Sequence, residues 1–557
     1  MQQFRVCVPL SFLQKTVNWK IAATEFGSLY GIFPHNPKLQ NQVDKIRMAS
    51  YFEILLSIAV ILIAFYYYAV SNFDFWKKRG VVGPTPIPFF GNTKDLMFAN
   101  ISISHYVHTT YDQYKNEPMI GFYLMKKPSL ILNDPELIKH VLIRDFSNFA
   151  DRGARVHEKT EPLSPHLFNL EAERWRPLRM RLSPIFTSGK LKKMFYLIIE
   201  CSQHLEKYLA KEVEKGVPLE CRELAARFTT DVIGSCAFGI EMNALADERS
   251  EFRQMGKDFF DTSSFQNVFR IKMRQFFPKL YDLLAYIICE TRLSSFFTKV
   301  VTDIIKYRQE NDIVRPDFIN MLMDLKAHPE KLNNIELTDS LLIAQVFGLF
   351  AGGFETSSTT ISSTLYELAV NQEIQNKLRE EIMEYCSKDK GELEFETVME
   401  MEYLDKVFKE SLRKYPSGSL LIRNAMSNYT FDGTKISIPK GTTIFIPVFA
   451  LQRNSDIYPN PNSFDPERFN EDAVAARHPM HYLPFGDGPR NCMGVRFAIY
   501  QTKIGLITIL RNYKVDVCEK TMIPYEINPA SLFLAPKEGI YLKFTKLQRK
   551  CNLFDIH

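Results

Sequence analysis

The sequence predicts a mainly α-helical protein with small β-sheets, set behind one N-terminal membrane-spanning helix. Three observations carry that reading. Beyond residue 92, apolar residues recur mostly at helical spacing, most persistently from Leu341 to Asn371. β-rich pieces are few and short, as in Pro128-Ser129-Leu130-Ile131-Leu132 and Thr443-Ile444-Phe445-Ile446. Tyr51 to Val70 holds a single charge, Glu53, and is long enough to cross the core of a bilayer. Without repeats or low-complexity tracts, the 557 residues read as one large body behind an anchor.

Composition excludes several classes. A hydrophobic content of 46% with 13% aromatics supplies a large core, and a net charge of +5 over this length leaves no footprint for nucleic acid. The nine cysteines (7, 201, 221, 236, 289, 386, 492, 518 and 551) are scattered, so they read as free thiols of a reducing compartment. No P-loop occurs, and no Gly-x-Gly-x-x-Gly lies between strand and helix, so the chain brings no nucleotide site of its own.

Residues 1–47 carry six Lys/Arg against two acidic residues, which puts positive charge on the side of the anchor that the charge bias disfavours. Met48 begins a tidier anchor. Residues 1–47 therefore read as an upstream extension absent from the working protein, with a mitochondrial presequence as the other reading. The anchor spans 48–70. Residues 71–92 are a basic stop and Pro-rich hinge, in which Lys77-Lys78-Arg79 stay cytosolic and Gly83-Pro84-Thr85-Pro86-Ile87-Pro88 forms a stiff extended link. Residues 93–557 are then the cytosolic body.

Within the body, Glu173 to Arg179 opens a basic stretch that continues through Arg181, Lys190, Lys192 and Lys193, either a solvated face or a docking surface. Trp175 offers an N–H donor and Arg179 a planar fork, and both suit an anion. Phe265 to Leu280 interleaves aromatics with Arg270, Lys272, Arg274 and Lys279, as a monotopic membrane contact or a core helix would. In the longest helix, Ala351-Gly352-Gly353-Phe354-Glu355-Thr356-Ser357 is a poor centre, since each glycine costs about 1 kcal/mol against alanine. Hydroxyls at 356 and 357 compete for carbonyls one turn back. The stretch is either a local opening where Glu355 and Thr356 relay protons, or a glycine contact for close helix packing. Glu410 and Arg413 lie one turn apart on a helix face.

The chain centres on Phe485-Gly486-Asp487-Gly488-Pro489-Arg490-Asn491-Cys492-Met493-Gly494, a loop feeding a helix. A thiolate at such a turn accepts backbone N–H bonds, which stabilise its charge. Gly488 and Gly494 let a large flat ligand approach the backbone. Phe485 packs beside the sulfur, and Arg490 is ready for a carboxylate. A lone cysteine is more often a buried structural residue, and zinc would need further ligands at short spacing.

These ten residues match, at every fixed position, the haem-binding signature of the cytochrome P-450 family. Gly352 to Ser357 matches the family's oxygen-activation motif, Glu410-Ser411-Leu412-Arg413 its Glu-x-x-Arg, and Pro466-Glu467-Arg468-Phe469 the segment joined to it. The resemblance runs from Pro84 to Phe544. Phrases such as Leu182-Ser183-Pro184-Ile185-Phe186-Thr187-Ser188-Gly189-Lys190-Leu191-Lys192 resemble insect microsomal members associated with detoxification. Three departures stand out: Asp487 where Glu is common, Ser417-Gly418 in place of a proline-rich pair, and Gln452 where His is usual.

The resemblance implies a cytochrome P-450 fold and haem b ligated by Cys492, with Phe485, Gly486, Arg490 and Gly494 around it. It places Trp175, Arg179, Arg423 and, by a looser match, Arg152 at the haem propionates. Thr356 and Glu355 would deliver protons, Glu410, Arg413 and Arg468 would brace the cysteine loop, and Phe168, Leu420 and Phe533 would line the substrate pocket. The activity implied is monooxygenation of lipophilic small molecules with O2 and NADPH. Electrons would come through NADPH-cytochrome P-450 reductase, with cytochrome b5 as a second donor, at the endoplasmic reticulum membrane. A haem-thiolate isomerase or dehydratase and a non-catalytic haem carrier or sensor are the alternatives.

Overall fold

The computed structural model describes residues 37–547 apart from 248, 263, 290, 329, 331–335, 389–392, 530, 532 and 533. The chain divides into two units, Met1–Ser71 and Asn72–His557.

In the first unit, helix α1 spans Pro37–Val70. It begins upstream of the expected start at Met48, because nothing between Lys38 and Arg47 interrupts a helix. Its segment Arg47–Val70 has a mean hydropathy of 2.2, and none of its apolar window is buried. A helix satisfies all its backbone bonds internally, so such a segment suits lipid on every side.

In the second unit, β1 (Met119–Leu124) and β2 (Lys127–Leu132) form an antiparallel hairpin. Helices α2 (Ala172–Leu182) and α3 (Ser188–Glu214) follow, then β3 (Leu219–Glu220) and α4 (Cys221–Ile233). The amphipathic pair α5 (Phe265–Phe276) and α6 (Pro278–Ile288) precedes the longest helix of the unit, α7 (Asp339–Val370). Next come α8 (Glu402–Lys414), β4 (Leu421–Asn424), β5 (Thr443–Ile446), α9 (Val495–Leu510), β6 (Tyr513–Val517) and β7 (Tyr541–Lys546). The two β-rich pieces read from the sequence are neighbours. β5 runs parallel to β2 and antiparallel to β4, giving the order β1-β2-β5-β4. A second sheet has the order β3-β7-β6.

Thr338 caps α7, its hydroxyl accepting the Leu341 N–H. By length and hydropathy alone α7 also qualifies as a membrane span, yet 61% of its apolar window is buried inside the protein. It is the axis of the core. Phe350 and Phe354 are fully enclosed, each contributing roughly 2–3 kcal/mol of burial. The helix does not open locally as the first reading expected, and the two central glycines differ in what they face. A Cβ on Gly353 would lie 2.3 Å from Ile233 Cδ1, so this glycine lets α4 pack close. A Cβ on Gly352 would meet nothing within 4 Å, and Gly352 is solvent-accessible.

Candidate functional site

Loop 485–494 is closed by the Cys492 N–H, which donates to the Phe485 carbonyl at 2.9 Å. Gly488 takes φ +72°, and a Cβ there would strike the Leu142 carbonyl oxygen at 1.9 Å, so only glycine fits. Phe485 stacks on Phe408 of α8 at 6.5 Å. Gly494 ends the loop as the cap of α9, and a Cβ there would meet only Phe186, at 3.9 Å. Cys492 is exposed, unlike the enclosed Cys201, Cys221 and Cys236. Dense protein around the cleft pushes its thiol up, while a hydrogen bond from the Gly494 backbone and the charges of Arg179 and Arg152 pull it down. An accessible sulfur deep in the fold suits a ligand more than a packing residue.

Four arginines converge beside this loop. Arg179 of α2 donates to the Asn491 carbonyl and side-chain oxygens at 3.0 and 2.8 Å, locking the residue before the cysteine. Arg152 donates to the Arg490 carbonyl at 3.0 Å and the Phe168 carbonyl at 3.2 Å. Arg490 donates to the Leu170 carbonyl at 2.7 Å and lies 4.3 Å over the Trp175 ring. Trp175 thus supports a guanidinium from behind. Arg423, projecting from β4, is 1% exposed and donates to the Ile422 carbonyl. Among the described residues none of these four forms an ion pair, and the buried Nε atoms of Arg423 and Arg490 have no partner. Burial pulls Arg423 and Arg490 down to about 10, and Arg152 well below its ordinary range.

Buried cations without carboxylates call for an anion. An accessible thiol, two orphaned guanidinium Nε atoms and a glycine-lined approach fit a flat ligand bearing carboxylates, as haem does. Grouped His, Cys, Asp and Glu ligands for a bare metal ion are absent among the described residues.

At the centre of α7, five consecutive carbonyls each accept a side-chain donor. Gly352 takes the Thr356 hydroxyl at 2.7 Å, Gly353 the Gln501 amide at 3.4 Å and Phe354 the Thr229 hydroxyl at 3.0 Å. Glu355 takes the Ser358 hydroxyl at 3.0 Å, and Thr356 the Ser417 hydroxyl at 3.2 Å. The helix stays continuous through this stretch. Competition for carbonyls takes place without a break, because donors from α4, α9 and residue 417 surround the turn. Glu355, 4% exposed, pairs with Arg222 of α4. Its carboxylate is thus turned to the α4 side of the helix, while Thr356 stays partly accessible.

Glu410 and Arg413 are fully buried, and Arg468 is partly so. Arg413 donates to Glu410 at 2.7 and 2.9 Å, and to the carbonyls of Gln452 and Pro461 at 2.9 Å. Arg468 Nε lies 3.5 Å from Glu410, an ion-pair distance beyond a good hydrogen bond. Gln452 extends the brace. It donates to the carbonyls of Leu412 and Arg413 at 2.9 and 3.0 Å and accepts the Leu483 N–H at 3.0 Å, two residues before Phe485. Gly486 rests near Leu421 of β4, where a Cβ would lie 3.5 Å from a leucine methyl.

The pocket residues separate. Phe168 is 61% exposed and stacks 4.0 Å from the Arg152 guanidinium. Leu420 packs beside Phe122 and Phe445 under the sheet. Phe533 lies outside the described residues. Gln452, Gln501, Ser417 and Arg222 carry site contacts that sequence reasoning did not assign. The departures noted at 417 and 452 were the available signal for two of them.

A family model described as Cytochrome P450 matches residues 81–544. The chain is 42% identical over 506 residues to cytochrome P450 6a2 of Drosophila melanogaster, covering 89% of this chain and 99% of that protein. It is 40% identical over 503 residues to cytochrome P450 6A1 of Musca domestica, covering 89% and 98%. It is 38% identical over 513 residues to cytochrome P450 6k1 of Blattella germanica, covering 89% and 97%.

Proposed function

This chain belongs to the cytochrome P450 family and is a monooxygenase of it; from that premise we propose that it oxidises lipophilic small molecules, xenobiotic or endogenous, with electrons from NADPH. Haem bound at Cys492 supplies dioxygen binding and activation, to which a thiolate ligand adds electron density. The chain's own residues do the rest. Arg152, Arg423 and Arg490 would hold the carboxylates of the cofactor. Arg179 and the Gln452 brace keep the loop, and with it the sulfur, in position. The Thr356 hydroxyl, bonded to the Gly352 carbonyl, is the group on α7 able to pass a proton into the accessible cleft. Glu355, held in place by Arg222, is the acceptor one residue away that would relay the next proton.

Electrons arrive from NADPH-cytochrome P-450 reductase, with cytochrome b5 as a second donor. Exposed Arg176, Lys190 and Lys193 on α2 and α3 offer complementary charge for an acidic donor, which mainly raises the encounter rate. Helix Arg47–Val70 anchors the chain in the endoplasmic reticulum membrane with the body cytosolic. Phe265 (81% exposed) on α5 and Leu283 (74%) and Ile287 (81%) on α6 give a second lipid contact, while Met273 and Phe276 face inward as core. Residues 1–47 read as an upstream extension, because their excess of Lys/Arg lies on the side of the anchor that the charge bias disfavours.

The single observation behind this reading is the accessible Cys492 sulfur among four unpaired arginines. The deciding experiment is the ferrous carbon monoxide spectrum of purified protein, followed by NADPH-dependent turnover with reductase supplied. A thiolate-type band that Cys492→Ser abolishes, with NADPH-dependent product, supports it. Turnover of a peroxide without NADPH would point to the isomerase class instead.

A further inference from the structure

Gln345, on the oxygen-side helix α7, is 3% exposed and spends its amide on the backbone of a distant loop. Its Oε1 accepts the Leu167 N–H at 2.8 Å, and its Nε2 donates to the Pro165 carbonyl at 2.9 Å. The pair of bonds mimics one rung of a β-ladder, made by a side chain. The next residues on the same helix face are Gly348, Gly352 and Thr356, spaced three and four apart. At Gly348 the loop presses in, and a Cβ there would lie 2.8 Å from His166 Cβ. One turn on, at Gly352, nothing would meet a Cβ within 4 Å. The loop therefore covers one half of this helix face and stops where the accessible cleft begins.

The far side of the loop is tied as well. The Phe168 and Leu170 carbonyls take bonds from Arg152 and Arg490. His166 is bonded to Asn169 at 3.2 Å and tilts against Phe168 and Phe347. Phe168 thus sits between two sets of stitches, a large exposed aromatic ring on a loop with little freedom.

We propose that Gln345 is a specificity-positioning residue: its side-chain amide pins loop 165–170 to α7 and so sets where the loop, with His166 against Gly348, ends beside the Gly352–Thr356 segment, where a lipophilic substrate is bounded. The inference rests on the monooxygenase reading and adds to it a residue that touches neither substrate nor cofactor. A rigid wall discriminates ligands by size, and its displacement changes bulky ligands more than small ones.

The test uses the full-length haem-bound protein and three variants: Gln345→Glu, which sets a carboxylate against the Pro165 carbonyl, Gln345→Leu, which keeps volume without polar bonds, and Gly348→Ala, which displaces His166 from the opposite side. Two readouts are taken. Hydrogen exchange across 160–171 is expected to rise in both Gln345 variants. Dissociation constants for toluene and pyrene, read from the haem absorption change, are expected to shift unequally, their ratio moving by about tenfold in all three variants. The carbon monoxide band stays unchanged, because haem ligation does not involve this face. Unchanged exchange at 160–171, or the same factor for both ligands, overturns the proposal. Failure of the parent reading shows separately, as a wild-type protein without the thiolate band, and the exchange readout does not depend on it. If the Gln345 variants do not fold, the ligand ratio in Gly348→Ala decides.

Discussion

Glu355 and Arg222 are joined across the contact between α7 and α4, with the carboxylate 4% exposed and one residue ahead of the Thr356 hydroxyl. The Arg222 guanidinium faces this buried carboxylate and offsets the cost of enclosing it. Removing the guanidinium leaves that charge unpaired, so Arg222→Met is expected to slow proton delivery while leaving cofactor binding intact. The measurement is the fraction of NADPH consumption recovered as product, expected to fall several-fold in Arg222→Met and further in Thr356→Val. Equal coupling in wild type and Arg222→Met would detach the pair from proton transfer.

Arg423 behaves oppositely in the two forms of the protein. Burial without an anion is costly, whereas under the proposed function the same guanidinium would hold a carboxylate of bound haem. Arg423→Met should leave the haem-free chain as stable as wild type or more so, by on the order of 1 kcal/mol, while speeding haem loss. Thermal unfolding with and without haem, beside haem transfer to an acceptor protein, reads both. A parallel loss of stability in the haem-free form would refute it.

The brace around Glu410 fails sharply when cut. Glu410→Ala strands the Arg413 charge at zero exposure and is expected to cost about 3–5 kcal/mol. Gln452→Leu leaves two carbonyls and the Leu483 N–H unpaired, at about 1–3 kcal/mol for each group, and should broaden the haem absorption because Leu483 leads into the cysteine loop. Chemical denaturation of holoprotein gives the first number and the absorption spectrum the second.

Acid should destabilise the folded chain through His166. Burial pulls this imidazole down to about 4, with Arg274 and Arg152 adding to the effect. The unfolded chain titrates near 6.5, so between about 6.5 and 4 it binds a proton that the folded chain refuses. Stability contributed by the neutral ring is complete above 6.5 and is lost as pH falls. His166→Asn is expected to remove on the order of 1 kcal/mol from that acid slope, read as the pH dependence of the unfolding midpoint.

Loop 155–161 is fastened to the amphipathic helices by charges. Glu161 accepts from Arg274 at 2.9 Å and from the Tyr281 hydroxyl, and Asp282 pairs with Arg155 at 2.8 Å. Partly exposed pairs such as these weaken with salt. Glu161→Gln is expected to raise the association rate of a lipophilic ligand about threefold at low ionic strength and to erase its salt dependence, measured by stopped-flow absorbance.

Legibility followed the reach of each interaction. The cysteine loop was readable because its glycines answer local demands: Gly488 has a positive φ and a neighbouring chain at 1.9 Å from its missing Cβ. Glu410 with Arg413 was readable as one helical turn. Gln345 was not, since an amide in the middle of an apolar helix announces no partner, and its partner lies 178 residues away. The turn of Glu355 toward Arg222 was equally hidden, for it depends on which face of α7 meets α4.

The sequence by itself determined the apolar N-terminal helix, the helical character of the body, the cysteine loop and the residue types available at each motif, because those follow from local periodicity, turn chemistry and short spacing. Tertiary structure alone decided that Gly352 opens onto the cleft while Gly353 packs on Ile233, and that Trp175 lies behind Arg490. It also decided that an apolar helix of membrane-spanning length is instead the centre of the core. Neighbouring residues on a helix point in different directions, and only the packing of the remaining elements determines what each direction meets.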